Sequence, residues 1–581
     1  MTPPTPAIVA QNAVRRLPRW ALIALCAVYL MPGLIGRGPW KSADITAFGY
    51  MAELAQSAEG LSRWFDPLLL GIRPETPALL PYWIGAWAIQ LAPVWINPDF
   101  AVRTVYALLL AGVFAATWYA AYYLARTPQA QPVAFAFGGE ARPKDYARVI
   151  GDGAIMALIA CLGLAQLGHE TTPALAQLFF CSSLFYGVAA MPYRRIAPRI
   201  AAGLGIIGIA LSGGPTMALA LGAGSTFLTI AERQTRKRVF AENKSPADPG
   251  PSYGAGAIFT LAGATALAAL LAWRLGQMHW SIALPGSHPG ISLWLDVHRL
   301  IKLLIWFTWP AWPLAIWTVW RWRHRFTQRH LALPLWFAGM PLAATLSTDF
   351  SQQALLLALP ALATLTAFAL PTFQRSVTAL IDWFTLLFFS GSAIIIWVVW
   401  LSMQTGFPSK PAANIARLAP GFVPEFSFWA LLFAIGATVA WIWLVRWRTG
   451  RHQAALWKTL ALPAGGAALC WMLVMTLWLP PLDYARSYVP QVRAITKHVG
   501  QPACLSEYGL SRPHIAALRY HGQFELRPIT VQPACPWLLV NPDAAAQSGT
   551  LIDPRQWRLI GTLRRPTARN DDLRLYQKIG E

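Results

Sequence analysis

The sequence predicts a mainly α-helical, polytopic membrane protein with about thirteen transmembrane helices and a small external α/β domain at its C-terminus. Of its 581 residues, 56% are hydrophobic and 12% are charged, which exceeds the apolar content of a soluble domain. Apolar windows of roughly 17 to 25 residues, long enough to cross a bilayer as a helix, recur along the chain. After Pro480, charged and apolar residues instead alternate as in a soluble domain.

Short basic clusters between the apolar windows account for most of the net charge of +22. Loops rich in Lys and Arg remain in the cytoplasm, so such clusters indicate the orientation of a membrane protein. We therefore interpret the charge as a topology signal and expect no nucleic-acid partner. The clusters are 15–19, 126–148, 194–199, 233–244, 321–329 and 446–458.

Placing every cluster in the cytoplasm gives an odd number of spans, a cytoplasmic N-terminus and an external C-terminus. The apolar segment 77–96 is left out as a re-entrant or interfacial helix, because a full crossing would move the cluster 126–148 outside. The predicted spans are 20–36, 103–124, 150–168, 173–190, 197–212, 214–231, 255–275, 299–320, 331–347, 352–371, 378–402, 426–446 and 458–480.

The chain therefore divides into a transmembrane domain, residues 1–481, and a soluble periplasmic α/β domain, residues 482–581. The first includes a long external loop, 37–102, in which 45–61 is predicted as an amphipathic helix on the membrane surface. In the second, 483–499 has helical periodicity, and three strands are predicted. The strands are 536–540, 557–563 and 573–579.

Two cysteines lie in the predicted periplasmic tail. Cys504 and Cys535 each end a Gln-Pro-Ala-Cys tetrapeptide. A disulfide between them is plausible, because the periplasm is oxidising, and two buried free thiols are the alternative.

Charged side chains in the external loop mark the candidate site, since a membrane protein keeps them beside a span where water, a substrate or a metal meets them. Asp44 could bind a divalent ion or act as a base, or could simply cap the helix that follows it. His169 and Glu170 are predicted on the same face, in a short turn. Motifs for nucleotide hydrolysis, zinc chemistry and serine hydrolysis are absent from the sequence.

These residues resemble motifs of the C-type (GT-C) integral membrane glycosyltransferases, the family of the lipid A aminoarabinose transferase and the protein O-mannosyltransferases. Asp44 and the run Arg73-Pro-Glu-Thr-Pro-Ala-Leu-Leu-Pro-Tyr-Trp83 are similar to the first-loop signature of that family. His169-Glu-Thr-Thr-Pro-Ala-Leu175 resembles its second acidic motif, and His288-Pro-Gly resembles the start of a later span. Ile45 and Thr76 depart from the pattern, because relatives carry an acid and a Lys at these positions.

The resemblance implies a membrane enzyme that moves a sugar from a polyprenyl-phosphate-linked donor to a lipid, glycan or protein acceptor at the periplasmic face. It implies a catalytic role for Asp44 and Glu170, which could also hold a divalent ion such as Mg, Mn or Zn. The implied substrate-binding residues, of which Arg73 and Arg299 would hold the donor phosphate, are Arg73, Glu75, Tyr82, His169, His288, His298 and Arg299.

Two other functions stay open at this point. A catalytically silent subunit that keeps the fold and acts in assembly is favoured by the departures at Ile45 and Thr76. A lipid transporter or flippase would show intramembrane charge pairs or repeated halves, and neither is clear in the sequence.

The charge pattern generates a test of orientation. A cysteine introduced near Arg325, in the cluster 321–329, should react with a membrane-impermeant reagent only after the cells are permeabilised. A cysteine introduced in 482–581 should react in intact cells. Labelling near Arg325 from outside would contradict the predicted topology.

Overall fold

The computed structural model describes residues 5–40, 42–57, 60–242, 252–279, 293–348, 351–450, 455–500, 504–530, 535–548, 552–565 and 571–579. It describes only the backbone of residues 61, 238–242, 293–296 and 547–548. His288 therefore lies outside the described residues.

Helices dominate this structure, and they are numbered here in chain order. They are α1 (Arg19–Leu30), α2 (Ala43–Gln56), α3 (Leu61–Phe65), α4 (Leu80–Leu91), α5 (Pro98–Ala125), α6 (Pro143–Ala160), α7 (Leu162–Leu167), α8 (Pro173–Ala190), α9 (Ala197–Leu211), α10 (Pro215–Glu242), α11 (Ala255–Arg274), α12 (Leu293–Phe307), α13 (Ala311–Arg321), α14 (Arg329–Ser347), α15 (Gln352–Leu356), α16 (Leu359–Ala369), α17 (Arg375–Thr405), α18 (Ser409–Leu418), α19 (Phe428–Thr449), α20 (Lys458–Leu477), α21 (Leu479–Arg486), α22 (Val489–Val499), α23 (Arg512–Gly522) and α24 (Pro542–Ser548).

The protein is a multi-pass membrane protein. Within the described residues, 7 helices are long and apolar enough to cross a bilayer, namely α5, α8, α11, α14, α17, α19 and α20. Every predicted span contains a helix, but several are broken or short. The predicted span 299–320 is a pair of helices, α12 and α13, bent by 107° where Pro310 interrupts the chain. Helix α1 ends at Leu30, because Pro32 and a left-handed Gly33 follow it.

The described parts of the predicted cytoplasmic clusters meet at one end of the bundle, which we call the basic end. There Arg16 pairs with Asp145 at 3.0 Å, and Arg325 donates to the carbonyl of Gln129 at 2.9 Å. Helix α5 runs from the opposite end, where Asp44 lies, to this one. The common location of these clusters agrees with the assumption that all of them face one compartment.

The predicted surface helix 45–61 is wrong in its placement. The helix present, α2, is buried on most sides, with Ile45, Phe48 and Met51 almost completely inaccessible. It packs against α4 on one side and α23 on the other. Nearly every turn of α2 carries apolar side chains, and these are covered by neighbouring helices rather than by lipid. Helix α4, within the predicted segment 77–96, is about 18 Å long and too short to cross a bilayer.

The C-terminal unit contains one five-stranded mixed sheet. Its strands are β1 (Cys504–Tyr508), β2 (Glu525–Pro528), β3 (Trp537–Val540), β4 (Trp557–Leu563) and β5 (Leu573–Lys578). They lie in the order β2-β1-β3-β5-β4. Strand β1 is parallel to β2 and β3, with Ser506 opposite Leu538, and β5 is antiparallel to β3 and β4. The predicted helix 483–499 is two helices, α21 and α22, separated at Ser487.

Helix α23 attaches this unit to the first loop. A side chain on Gly49 would place its Cβ 2.5 Å from the Cβ of Ala516, so only glycine permits this approach of α2 and α23. The rings of Phe48 and Tyr520 lie 4.5 Å apart between the same helices. One apolar core therefore continues from the bundle through the first loop into the C-terminal unit.

The structure joins Cys504 and Cys535 by a disulfide, with Cα atoms 5.3 Å apart and a sequence separation of 31. Replacing both with Ala should destabilise the C-terminal unit by about 3 kcal/mol, because the open loop gains entropy in the unfolded chain. Proteolysis of the purified protein across a temperature series measures this. Cys26→Ala, at a free cysteine in α1, is the control. Equal protease resistance of the double variant and the wild type would contradict the prediction.

Candidate functional site

The polar site lies at the end of the bundle opposite the basic end. Four segments build it: the chain between α1 and α2, the turn between α7 and α8, the end of α20, and α21. These segments are far apart in sequence, and they meet because α1, α5, α6 and α20 pack side by side.

Asp44 is the most deeply buried charge of this site, with 1% of its surface exposed. One carboxylate oxygen accepts hydrogen bonds from the backbone N–H of Thr171 at 2.8 Å and from its hydroxyl at 2.6 Å. The other accepts from the N–H of Trp40 at 3.0 Å and lies 3.6 Å from the Arg37 guanidinium. Both oxygens are thus engaged inside the protein, and Asp44 joins the first loop to the α7–α8 turn.

Arg37 is buried beside Asp44 and holds two further segments. Its guanidinium donates to the carbonyl of Gly33 at 2.9 Å and to the carbonyl of His169. It also lies 4.7 Å from the ring of Trp40. Because a buried guanidinium requires a carboxylate and several acceptors nearby, the position of Arg37 depends on Asp44 and on the α7–α8 turn.

Glu170 lies beside these residues and lines a cavity of about 240 Å³. Its carboxylate accepts a hydrogen bond from the Gln166 amide at 3.3 Å. Burial and the Asp44 carboxylate raise the pKa of Glu170 to about 7, and the guanidiniums of Arg37 and Arg486 offset this only in part. Glu170 can therefore gain or lose a proton near neutral pH, which is the property required of a general base.

Arg486 faces the same cavity from α21 and was not predicted as a site residue. Its guanidinium lies 5.3 Å from the Trp40 ring, and the Trp40 indole N–H donates to Asp483 at 2.8 Å. Within the described residues, no carboxylate forms an ion pair with Arg486. A half-buried arginine that lines a cavity without an ion pair can accept an anionic ligand.

The predicted substrate residues of the first loop lie outside this cavity. Arg73 forms a two-point pair with Asp66, at 3.0 and 2.9 Å, on the exposed surface. Glu75 pairs with Arg512 of α23 at 2.6 Å. Tyr82 is buried against Tyr50, with ring centroids 5.4 Å apart. The loop motif thus contacts its own loop and the C-terminal unit.

His169, His298 and Arg299 do not line the cavity either, although the His169 ring lies 4.6 Å from that of Trp471, which does. Burial lowers the pKa of His169 to about 4, and its ring nitrogens lie 2.7 and 2.9 Å from the carbonyls of Ala165 and Tyr29. His298 and Arg299 are exposed on α12. In the part of the chain that the structure describes, only Glu170 of the predicted catalytic and substrate-binding residues lines the cavity.

The donor set around Glu170 does not fit a metal ion. Across the described residues, no three His, Cys, Asp or Glu side chains lie close enough to share one. Asp44, the other predicted ligand, already uses both oxygens for internal donors. The divalent ion stays a prediction from the sequence, and the chemistry proposed below assigns no step to it.

No protein-family profile and no curated protein sequence matches the chain. Among solved structures, ArnT from Cupriavidus metallidurans bound to undecaprenyl phosphate is similar with a TM-score of 0.60 at 13% identity, over 97% of this chain and 98% of that one. The chain has the fold of ArnT.

The apo structure of the same ArnT gives a TM-score of 0.58 at 15% identity, over 96% of this chain and 97% of that one. ArnT, the lipid A aminoarabinose transferase, is a GT-C glycosyltransferase. The predicted fold, a GT-C-like membrane bundle with a small C-terminal α/β domain, is therefore confirmed. At this level of identity the likeness to ArnT concerns the fold.

The geometry of Asp44 predicts a structural effect of its replacement. Asp44→Asn should destabilise the protein by about 3 kcal/mol, because the new amide NH₂ group would face other hydrogen-bond donors. Arg37 would also remain buried without a carboxylate partner. Thermal unfolding in detergent measures this. Asp66→Asn, which alters an exposed pair, is the control. An Asp44→Asn variant as stable as the control would show that the buried pair contributes little.

Proposed function

We propose that the protein is a membrane glycosyltransferase that moves a sugar from a polyprenyl-phosphate-linked donor to a hydroxyl or phosphate oxygen of a lipid, glycan or protein acceptor. One observation carries the proposal: Glu170, with its pKa near neutral, and Arg486, with no ion pair among the described residues, share one cavity. The fold shared with an ArnT that binds undecaprenyl phosphate supports it.

Glu170 is the proposed general base. Its carboxylate takes the proton of the acceptor, and the acceptor oxygen attacks the anomeric carbon of the sugar. The bond between that carbon and the phosphate oxygen breaks, and polyprenyl phosphate leaves with the electron pair. Asp44 acts as a positioning residue, because it holds Thr171 next to Glu170 and keeps Arg37 in place.

Arg486 and Arg37 are the proposed phosphate-binding residues in place of Arg73 and Arg299. The leaving phosphate gains charge in the transition state, so cations fixed near it lower the barrier. Both guanidiniums line the cavity with Glu170, and both already rest against Trp40. This packing restricts their motion before substrate binds.

An apolar groove of about 600 Å³ between α1, α19 and α20 can accept the hydrocarbon chain of the donor. Trp20, Trp443 and Trp447 line it from the membrane side. The groove ends at Met472, next to Trp471, which lines the cavity of Glu170. A lipid chain in the groove would bring its phosphate towards Arg486.

The charge distribution supports a periplasmic site in a bacterial inner membrane. The basic clusters gather at the far end of the bundle, and loops of this composition stay in the cytoplasm. The disulfide of the C-terminal unit fits an oxidising compartment at the end where Glu170 lies.

A silent subunit with this fold is the second candidate. Two observations favour it. Both carboxylate oxygens of Asp44 accept internal hydrogen bonds, and Arg73 and Glu75 form ion pairs with neighbouring side chains. A subunit of this kind would bind a lipid-linked sugar or a partner without transferring the sugar.

Sugar transfer from a lipid-linked donor, assayed with purified protein, tests the proposal. Glu170→Gln should lower kcat by about a hundredfold, as expected for loss of a general base. Arg486→Gln should chiefly raise the KM for the donor. Only ionised Glu170 accepts a proton, so the wild-type rate should fall about tenfold per pH unit below pH 7.

Glu425→Gln, at an exposed carboxylate outside the cavity, is the control and should transfer normally. If Glu170→Gln and the wild type transfer equally fast, Glu170 is not the base. If the wild type transfers from none of the donors tried but still binds them, the silent subunit is the better description.

A further inference from the structure

A second polar cavity lies at the basic end of the bundle, far from Glu170. It has a volume of about 320 Å³ and opens between α1, α5, α6 and α8. Four arginines and five aromatic residues line it: Arg19, Arg126, Arg148, Arg194, Trp118, Tyr119, Tyr122, Tyr123 and Tyr193. No carboxylate lines this cavity, although a cluster of four cations normally requires anions nearby.

Most of this positive charge is uncompensated. Within the described residues, no ion pair involves Arg19, Arg126 or Arg194. Arg148 lies 3.8 Å from Asp145, but that carboxylate is held more closely by Arg16, at 3.0 Å.

The tyrosines fix some of these cations in place. The guanidinium of Arg126 lies 5.0 Å from the ring of Tyr193 and 5.7 Å from that of Tyr122. Contacts of this kind orient a guanidinium without neutralising it. The charge thus remains available to an anion.

An apolar cavity of about 510 Å³ continues from the polar one. The two share Arg19, Trp118, Tyr119 and Arg148, so they form one surface. Beyond the shared residues it is lined mainly by apolar side chains, among them Leu22, Ile23, Ala115 and Ile155. Two charged residues, Arg16 and Asp152, line it as well, and the Asp152 carboxylate accepts a hydrogen bond from the Trp118 indole at 2.8 Å. A polar compartment for an anion therefore leads directly into an apolar one for a hydrocarbon chain.

The position along the bundle fits a membrane surface. Arg103, beside the first site, and Arg126 lie on or at the end of α5, and the helical rise places them about 35 Å apart. The apolar layer of a bilayer is about 30 Å thick, so the arginine cavity lies at the headgroup level of the other leaflet.

We propose that this joined cavity is a binding site for an anionic phospholipid of the leaflet at the basic end. The phosphate lies among Arg19, Arg126, Arg148 and Arg194, and an acyl chain lies along α1, α5 and α6. Basic pockets between transmembrane helices are known to bind such headgroups. The proposal does not depend on the proposed function, because this joined cavity and the cavity of Glu170 share no residue.

Native mass spectrometry of the full-length protein with added phosphatidylglycerol, cardiolipin or phosphatidylcholine tests the proposal. The two anionic lipids should bind more tightly than phosphatidylcholine. Arg148→Gln and Arg19→Gln should each weaken phosphatidylglycerol binding about fivefold, the effect expected of one surface cation on an anionic headgroup. Arg19 is exposed, so Arg19→Gln should keep the wild-type fold.

Arg195→Gln is the matched control, because Arg195 is exposed next to Arg194 but does not line the cavity. It should bind phosphatidylglycerol like the wild type. If Arg195→Gln weakened phosphatidylglycerol binding equally, the effect would come from general surface charge, and the proposed site would be wrong. Equal binding of phosphatidylcholine would overturn the role of the arginines. Displacement of the lipid by millimolar inorganic phosphate would show a site for free phosphate instead.

Discussion

The buried carboxylate of Asp44 is the constraint on which the architecture of the first site depends. An ionised group in this position is stable only when donors surround it. Thr171, Trp40 and Arg37 supply them from two separate parts of the chain. Through this one charge, the loop after α1 is fixed against the turn that carries Glu170. The indole of Trp40 then extends the contact to Asp483, 443 residues away.

Composition and periodicity predicted most of the fold, because both report local physical requirements. The strands predicted at 536–540, 557–563 and 573–579 agree with β3, β4 and β5 to within a residue at each end. Strands β1 and β2 have only five and four residues, and neither has a clear alternating pattern. The surface placement of α2 failed for another reason. Whether lipid or protein covers an apolar helix depends on a partner such as α23, which no local pattern reveals.

The site was less predictable than the fold. Glu170, which lines the cavity, was predicted from its place in a short turn, whereas Arg37 and Arg486, which also line it, were not predicted because they belong to no motif. One signal in the sequence points to them. Both arginines follow predicted spans on the external face of the membrane, where the positive-inside rule makes Lys and Arg uncommon. A cation in such a place is a candidate for binding an anion. Arg73 satisfied the same rule, yet it pairs with Asp66 on the exposed surface and does not line the cavity, so the rule alone does not select the residues that do.

The contact between α2 and α23 also bears on how the chain is made. Glu53 and Arg519, which pair across it, are 466 residues apart. At 5 to 20 residues per second, a ribosome needs roughly half a minute to a minute and a half to synthesise the chain between them. During this interval the surface of α2 around Phe48 and Gly49, which α23 will cover, is without its native neighbour. The first loop therefore gains this contact only when nearly the whole chain has been made.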